Sequence, residues 1–164
     1  MLLRRCGKLQ RLFFGGIDMV KKSVLAINFN EERLKQLKRL SLLVKAKVKA
    51  VTELDKEEPL GKVVGFTEQE IKAITEQISA NNENQTTDNM DNEDIIIEEP
   101  VTKEAIVLCG FENKDVHTLL DAIRGSSLKS VPLKAMLTSY NITWKISDML
   151  IELAKEYEYF RQRK

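Results

Sequence analysis

Apolar positions along this chain alternate between short runs of strand length and stripes at helical spacing. Residues 23–29 (SVLAINF) form an apolar, β-branched run that predicts a strand. Asn30, Glu31 and Glu32 follow: an amide suited to cap a helix, then carboxylates where the helix dipole favours them. Leu34, Leu37, Leu40 and Val44 recur at helical spacing and predict an amphipathic helix with Lys35, Lys38 and Arg39 on its opposite face. Residues 48–52 (VKAVT) alternate as a second strand. Thr67-Glu68-Gln69-Glu70 has the form of a capping box, and Ile71, Ile74 and Ile78 continue it as a short helix.

The plan then recurs. Residues 105–111 (AIVLCGF) predict a strand. Glu112 or Asn113 opens a helix that carries Val116, Leu119, Leu120 and Ile123, and Gly125 closes it. Residues 133–138 (LKAMLT) predict another strand. Thr143 is placed to cap a last helix, whose Ile146, Met149, Leu150, Leu153, Tyr157 and Phe160 make a broad apolar face. This alternation predicts an α/β fold: a small, mainly parallel four-stranded sheet built from two βαβ units plus a C-terminal helix. The alternative is a ferredoxin-like α+β sheet, in which the second and third strands pair antiparallel. SVLAINF lies over AIVLCGF with Phe29 on Phe111 and Leu34 and Leu37 on Val116 and Leu119; VKAV-T lies over LKAML-T after a small length change. Duplication and the ordinary likeness of βαβ units both account for that match.

Charge divides the chain further. The total is +1, yet residues 1–50 hold 13 Lys/Arg and 3 acids, residues 51–104 hold 4 and 15, and residues 105–164 hold 9 and 7. From residue 79 to 99 there are seven acids, five Asn and no Lys or Arg. Such a segment buries too little apolar surface to offset its ordering entropy and is expected to be a flexible acidic linker. One composite domain results: residues 19–78 as the first βαβ half with a short extra helix, 79–104 as linker, and 105–164 as the second half with the C-terminal helix. Residues 1–18 hold Arg4, Arg5, Lys8 and Arg11, whose spacing breaks up the apolar stretch a secretory signal needs. A mitochondrial presequence fits the composition. The preferred expectation is a non-native upstream extension with the true start at Met19, because Gly15-Gly16 ahead of Met19 is encodable by a ribosome-binding site.

Candidate chemistry is sparse. In an all-parallel sheet, ligands bind beyond the carboxyl ends of the strands. That edge would collect Asn28, Asn30, Thr52, Glu53, Gly110, Glu112, Thr138, Ser139, Tyr140 and Asn141, with Trp144 close behind. Asn30, Gly110, Thr138, Ser139, Tyr140, Asn141 and Trp144 are therefore the candidate ligand-binding set. Helix caps, a turn and core packing explain the same residue types without a ligand. Cys109, between Leu108 and Gly110, is expected to be a buried apolar thiol, and His117 to form a surface pair with Asp121. Two distant cysteines and one histidine make neither a disulfide framework nor a zinc site. No phosphate loop, nucleophile elbow or metalloprotease motif is present, so no catalytic residue, metal or cofactor is expected. The longest apolar runs, such as residues 42–44 and 95–97, are too short to span a bilayer. The basic face of Lys35, Lys38 and Arg39, with Lys45, Lys47 and Lys49 beyond it, could meet phosphates, but it lacks aromatic residues for stacking on bases.

Several pieces also look like one family. Gly110-Phe111, Pro132-Leu133-Lys134-Ala135, Leu137-Thr138, Asn141 with Trp144, and Glu156-Tyr157-Glu158-Tyr159 resemble the bacterial family of domains of unknown function DUF3783. Near the start, INFNEERLKQLK and EEPLGKVVG (Pro59, Leu60, Gly61, Gly65) are similar to it as well, so the resemblance spans about residues 23–66 and 105–160. It implies a bacterial, cytoplasmic protein and carries over no activity and no catalytic residue. The functional expectation is a non-enzymatic interaction or regulatory module with the strand-end edge or the basic helix as its binding face; its partner is open, with another protein as the candidate. A small-ligand sensor or enzyme using residues 138–141 is the first alternative, and a weak nucleic-acid binder through the basic first helix is the second.

Overall fold

A computed structural model of the protein describes residues 22–81, 95–97 and 100–163. The expected upstream extension, the start at Met19 and most of the expected acidic linker lie outside the described residues.

Strand β1 (Ser23–Ile27) leads through helix α1 (Glu31–Ser41) to β2 (Lys47–Ala50). Two helices follow, α2 (Leu60–Val64) and α3 (Glu68–Asn81). The second half runs β3 (Ala105–Cys109), α4 (Asn113–Arg124), β4 (Leu133–Met136) and α5 (Ile146–Gln162). Strand order is β2-β1-β3-β4, with β1/β2 and β3/β4 parallel and β1/β3 antiparallel. The sheet is thus mainly parallel and made of two βαβ units, as the alternation predicts. The ferredoxin-like arrangement is not adopted, because β2 and β3 are not neighbours.

Side-chain alternation assigns each central strand to two cores. Leu25, Ile27, Val107 and Cys109 face a cluster completed by Leu60, Val63, Ile74, Ile146, Met149, Leu150 and Leu153. Val24, Ala26, Ile106 and Leu108 face a second cluster with Leu37, Val116, Leu119 and Ile123. Helices α1 and α4 therefore cover one face, and α2, α3 and α5 cover the other. Both strand runs end earlier than expected, at Ile27 and Cys109, because Asn28 (φ 61°) and Gly110 (φ 74°) take the left-handed conformation that Asn and Gly tolerate best.

The two halves are related by a pseudo-two-fold axis through the β1/β3 ladder, where Leu25 lies opposite Val107. Rotation about it places Ser23 on Ala105 and Asn28 on Gly110. The parallel registers then coincide, Ser23 against Lys47 and Ala105 against Leu133. Residues 47–52 overlay 133–138 without the length change expected from sequence. Beyond β2 and β4 the two following segments meet at a Pro59–Lys145 bridge. There Leu60 N donates to Trp144 O (2.8 Å) and Ile146 N to Glu58 O (3.4 Å), the two mates of one symmetric pair.

Helix α2 was not evident from periodicity. Pro59 at its entry and Gly65 (φ 115°) at its exit are its only local signals. Gly61 is required inside it: a Cβ there would lie 2.6 Å from Ile142 Cγ1 and 3.0 Å from the Ile142 carbonyl oxygen. The capping box at Thr67 forms as expected, with Glu70 N donating to Thr67 Oγ1 at 3.2 Å and Thr67 N to Glu70 Oε2 at 2.7 Å. Thr143 does not cap α5. It is exposed in a turn, and the helix begins after Lys145, where the bridge to Pro59 redirects the chain.

Candidate functional site

The antiparallel centre of the sheet divides the expected strand-end site. Asn28, Asn30, Thr52 and Glu53 follow β1 and β2 at one end of the sheet. Gly110, Glu112, Thr138, Ser139, Tyr140 and Asn141 follow β3 and β4 at the other. No single edge gathers the candidate set. The reason is the β1/β3 pairing, a contact between distant segments that local periodicity does not encode.

Within each end, most polar atoms are already engaged. Asn30 Oδ1 accepts from Arg33 N at 2.9 Å, which is the cap of α1. Asn141 is 3% exposed; its Oδ1 accepts from Thr138 N (2.7 Å) and its Nδ2 donates to Met136 O (2.9 Å). Thr138 Oγ1 accepts in turn from Asn141 N at 3.3 Å. The matched turn of the first half repeats this ring: Thr52 N donates to Asp55 Oδ2 (3.0 Å) and Asp55 N to Thr52 Oγ1 (3.3 Å). These hydrogen bonds hold Asp55 below the ordinary carboxylate value, the bond from the Thr52 backbone most of all. A motif present twice at symmetry-related turns is explained by the turn itself. Of the candidate set, Asn30, Tyr140 and Trp144 are exposed, and Trp144 lines an open depression with Thr143, Lys145, Asp148 and Glu152.

Lys35 is tied to Glu31 at 2.8 Å, one turn back on α1. Lys38 and Arg39 are exposed, and the helix runs straight into a short 3-10 turn, Leu42–Val44. Val44 is buried, but Leu42 and Leu43 project with 72% and 65% exposure. Exposed Lys45 and Lys47 follow them. Among the described residues, no ion pair is formed by Lys38, Arg39, Lys45 or Lys47. Two leucines thus stand in water among four cations. Periodicity read Lys38 and Arg39 as one solvated helix face; the missed signal is the Leu42-Leu43-Val44 run, in which only one residue can reach the core.

A cleft of about 240 Å³ lies along β4, walled by α4 and α5. Leu120, Leu133, Leu153, Tyr157 and Phe160 make it largely apolar, with Arg124, Lys134 and Glu156 as its charged groups. Burial, and secondarily the nearby Arg124 charge, lowers the Lys134 ammonium from its ordinary value, and Nζ donates to Val131 O at 2.9 Å. Pro132, Leu133, Lys134, Glu156 and Tyr157 are among the residues that carry the family resemblance, so two separated sequence motifs converge here.

Cys109 is fully buried and its thiol is pushed up to about 12 by that burial. His117 is exposed, and the partner of Asp121 is Arg124 at 3.0 Å, not the expected histidine. No helix among the described residues is long and apolar enough to cross a membrane.

Comparison with known families adds one fact. Residues 104–160 match the family model described as a domain of unknown function, DUF3783. This segment is similar to DUF3783 domains. The matched segment begins one residue before β3 and ends within α5, so it spans the second β-α-β-α half of the molecule. The resemblance noted for residues 23–66 lies outside the DUF3783 match. No curated protein and no solved structure matches the chain.

Proposed function

We propose that this protein is a non-enzymatic interaction module, and that its partner is an acidic protein surface docking on the corner where α1 ends. The observation that carries this reading is the pair of projecting leucines, Leu42 and Leu43, among Lys38, Arg39, Lys45 and Lys47. Leaving two large apolar side chains in water costs roughly 1.5–3 kcal/mol each relative to burial. A partner that covers them recovers this, and carboxylates around its contact would complement the four cations and speed encounter. The same corner lacks aromatic residues, which argues against a single-stranded nucleic acid.

The test is affinity capture from the producing cells with wild type and with a Lys38→Glu, Leu42→Ser, Leu43→Ser variant whose melting is first matched to wild type. An acidic protein retained by wild type and lost with the variant supports the reading. Equal retention by both, or retention of nucleic acid alone, refutes it.

The cleft along β4 supports a second reading, in which a small anionic ligand with an apolar body sits between α4 and α5. Its apolar lining combined with Arg124 and Lys134 favours that chemistry. A thermal-shift series of aliphatic and aromatic carboxylates tests it: stabilisation lost in Lys134→Met supports the site, and no stabilisation by any of them removes it.

A further inference from the structure

The pseudo-two-fold axis pairs positions as well as elements. The rotation that exchanges β1 and β3 places Lys22 on Glu104 and Arg33 on Asp115. Each of these four residues has its partner in the other half. Arg33 makes a two-pronged ion pair with Glu104, Nε to Oε1 at 2.6 Å and Nη2 to Oε2 at 2.7 Å. Its symmetry mate is the ion pair between Lys22 and Asp115. The same two positions are bridged twice, but the polarity is reversed: both first-half positions are cationic and both second-half positions anionic.

This assignment has a consequence for pairing. If two second halves met across the same ladder, Glu104 of each would face Asp115 of the other, twice. Two first halves would set Lys22 against Arg33, also twice. Only a first half against a second half brings opposite charges together, and these groups are partly shielded, at 21–34% side-chain exposure. Like charges so placed are a specificity device against the wrong pairing. The β1/β3 ladder adds no preference of its own, because both are short apolar strands whose backbone bonds are the same for any partner; smaller polar contacts, such as Asn28 Nδ2 to Val101 O and Lys145 to Glu57, favour the same unlike pairing.

We propose that the protein is a fused pseudo-dimer of two DUF3783-like halves, and that Lys22, Arg33, Glu104 and Asp115 make each half's first-strand edge selective for the opposite half. The edge does not distinguish a half on its own chain from one on a second copy of it. A second copy is therefore a competent partner whenever the intramolecular pairing is disfavoured, and the dimer it forms exchanges halves reciprocally.

Full-length charge-reversal variants test this. One carries Lys22→Glu and Arg33→Glu; the other carries Glu104→Lys and Asp115→Lys. Each alone holds like charges at all four positions, so each is expected to melt below wild type or fail to fold. Mixed one to one in denaturant and refolded together at low salt, they are expected to give a reciprocal heterodimer. Light scattering would show a doubling of mass, and the melting temperature would return toward wild type. A single chain carrying all four reversals is expected to regain the monomeric state and the stability of wild type. The heterodimer should weaken as salt rises. Failure of the mixture to dimerise, or failure of the fourfold reversal to restore stability, would overturn the proposal, as would wild-type melting of both single-half variants.

Discussion

Asn141→Ala isolates the turn that follows β4. The side chain is almost wholly buried and its amide is used at both ends, accepting from Thr138 N and donating to Met136 O. Alanine keeps the backbone N–H bond to Thr138 Oγ1 but removes the amide contacts to Thr138 N and Met136 O. Each such loss costs roughly 1–3 kcal/mol, so the sum is about 2–6 kcal/mol. The first half supplies an internal control. Asp55 makes the matched contact to Thr52 N but sits in a more exposed turn, so Asp55→Ala is expected to cost only about 1 kcal/mol or less. Urea denaturation followed by circular dichroism gives both values. Trp144, the single tryptophan, lies three residues beyond the Asn141 turn and reports on it by fluorescence. A cost below about 1 kcal/mol for Asn141→Ala would refute the reasoning, because the buried backbone groups would then have found other partners. The result also bears on ligand binding, since a residue whose amide is spent on its own turn is a poor anchor for a metabolite.

Three further outcomes follow from the same structure. Gly61→Ala gains up to about 1 kcal/mol of helix propensity. It also drives a methyl against Ile142, where overpacking typically costs about 1–3 kcal/mol, so a net loss is expected in denaturant titration. Cys109 should resist iodoacetamide in the native state at neutral pH and label fully in denaturant, as peptide mapping by mass spectrometry would show; native labelling at Cys109 would contradict its burial. Asp55, Glu70 and Glu158 are all lowered, Asp55 and Glu70 chiefly by backbone N–H bonds from Thr52 and Thr67, and Glu158 chiefly by its hydrogen bond from Lys103. A folded-state value below the unfolded one stabilises above the unfolded value near 4 and is lost as pH falls through the folded value. Melting temperature should therefore decline from about pH 4 downward, and Glu70→Gln should flatten part of that decline. An unchanged pH profile in the variant would contradict the assignment.

What could be read along the chain was whatever depends on near neighbours. Asn30 as a cap, the Thr67 capping box, the stripe of Leu34, Leu37 and Leu40, and the apolar face from Ile146 to Leu153 all follow from spacing within a few residues. The four strands and the α/β class follow from their alternation. The overlay of Phe29 on Phe111 was also visible, although a small register error entered at β2. The candidate site was less legible. Four strand ends share one edge only in an all-parallel sheet, and the short apolar run at Leu42 and Leu43 reads as core.

The antiparallel meeting of β1 and β3 was decided only by tertiary structure. A strand's periodicity states which faces it buries, but it does not state which distant strand supplies its backbone partners or in which direction. That pairing divides the strand ends between two sides of the sheet and brings Lys22 to Asp115 and Arg33 to Glu104. The sequence by itself determined two β-α-β-α halves of similar pattern. Tertiary structure decided that they face each other across a two-fold axis, because only there do long-range backbone bonds and opposite charges become contacts.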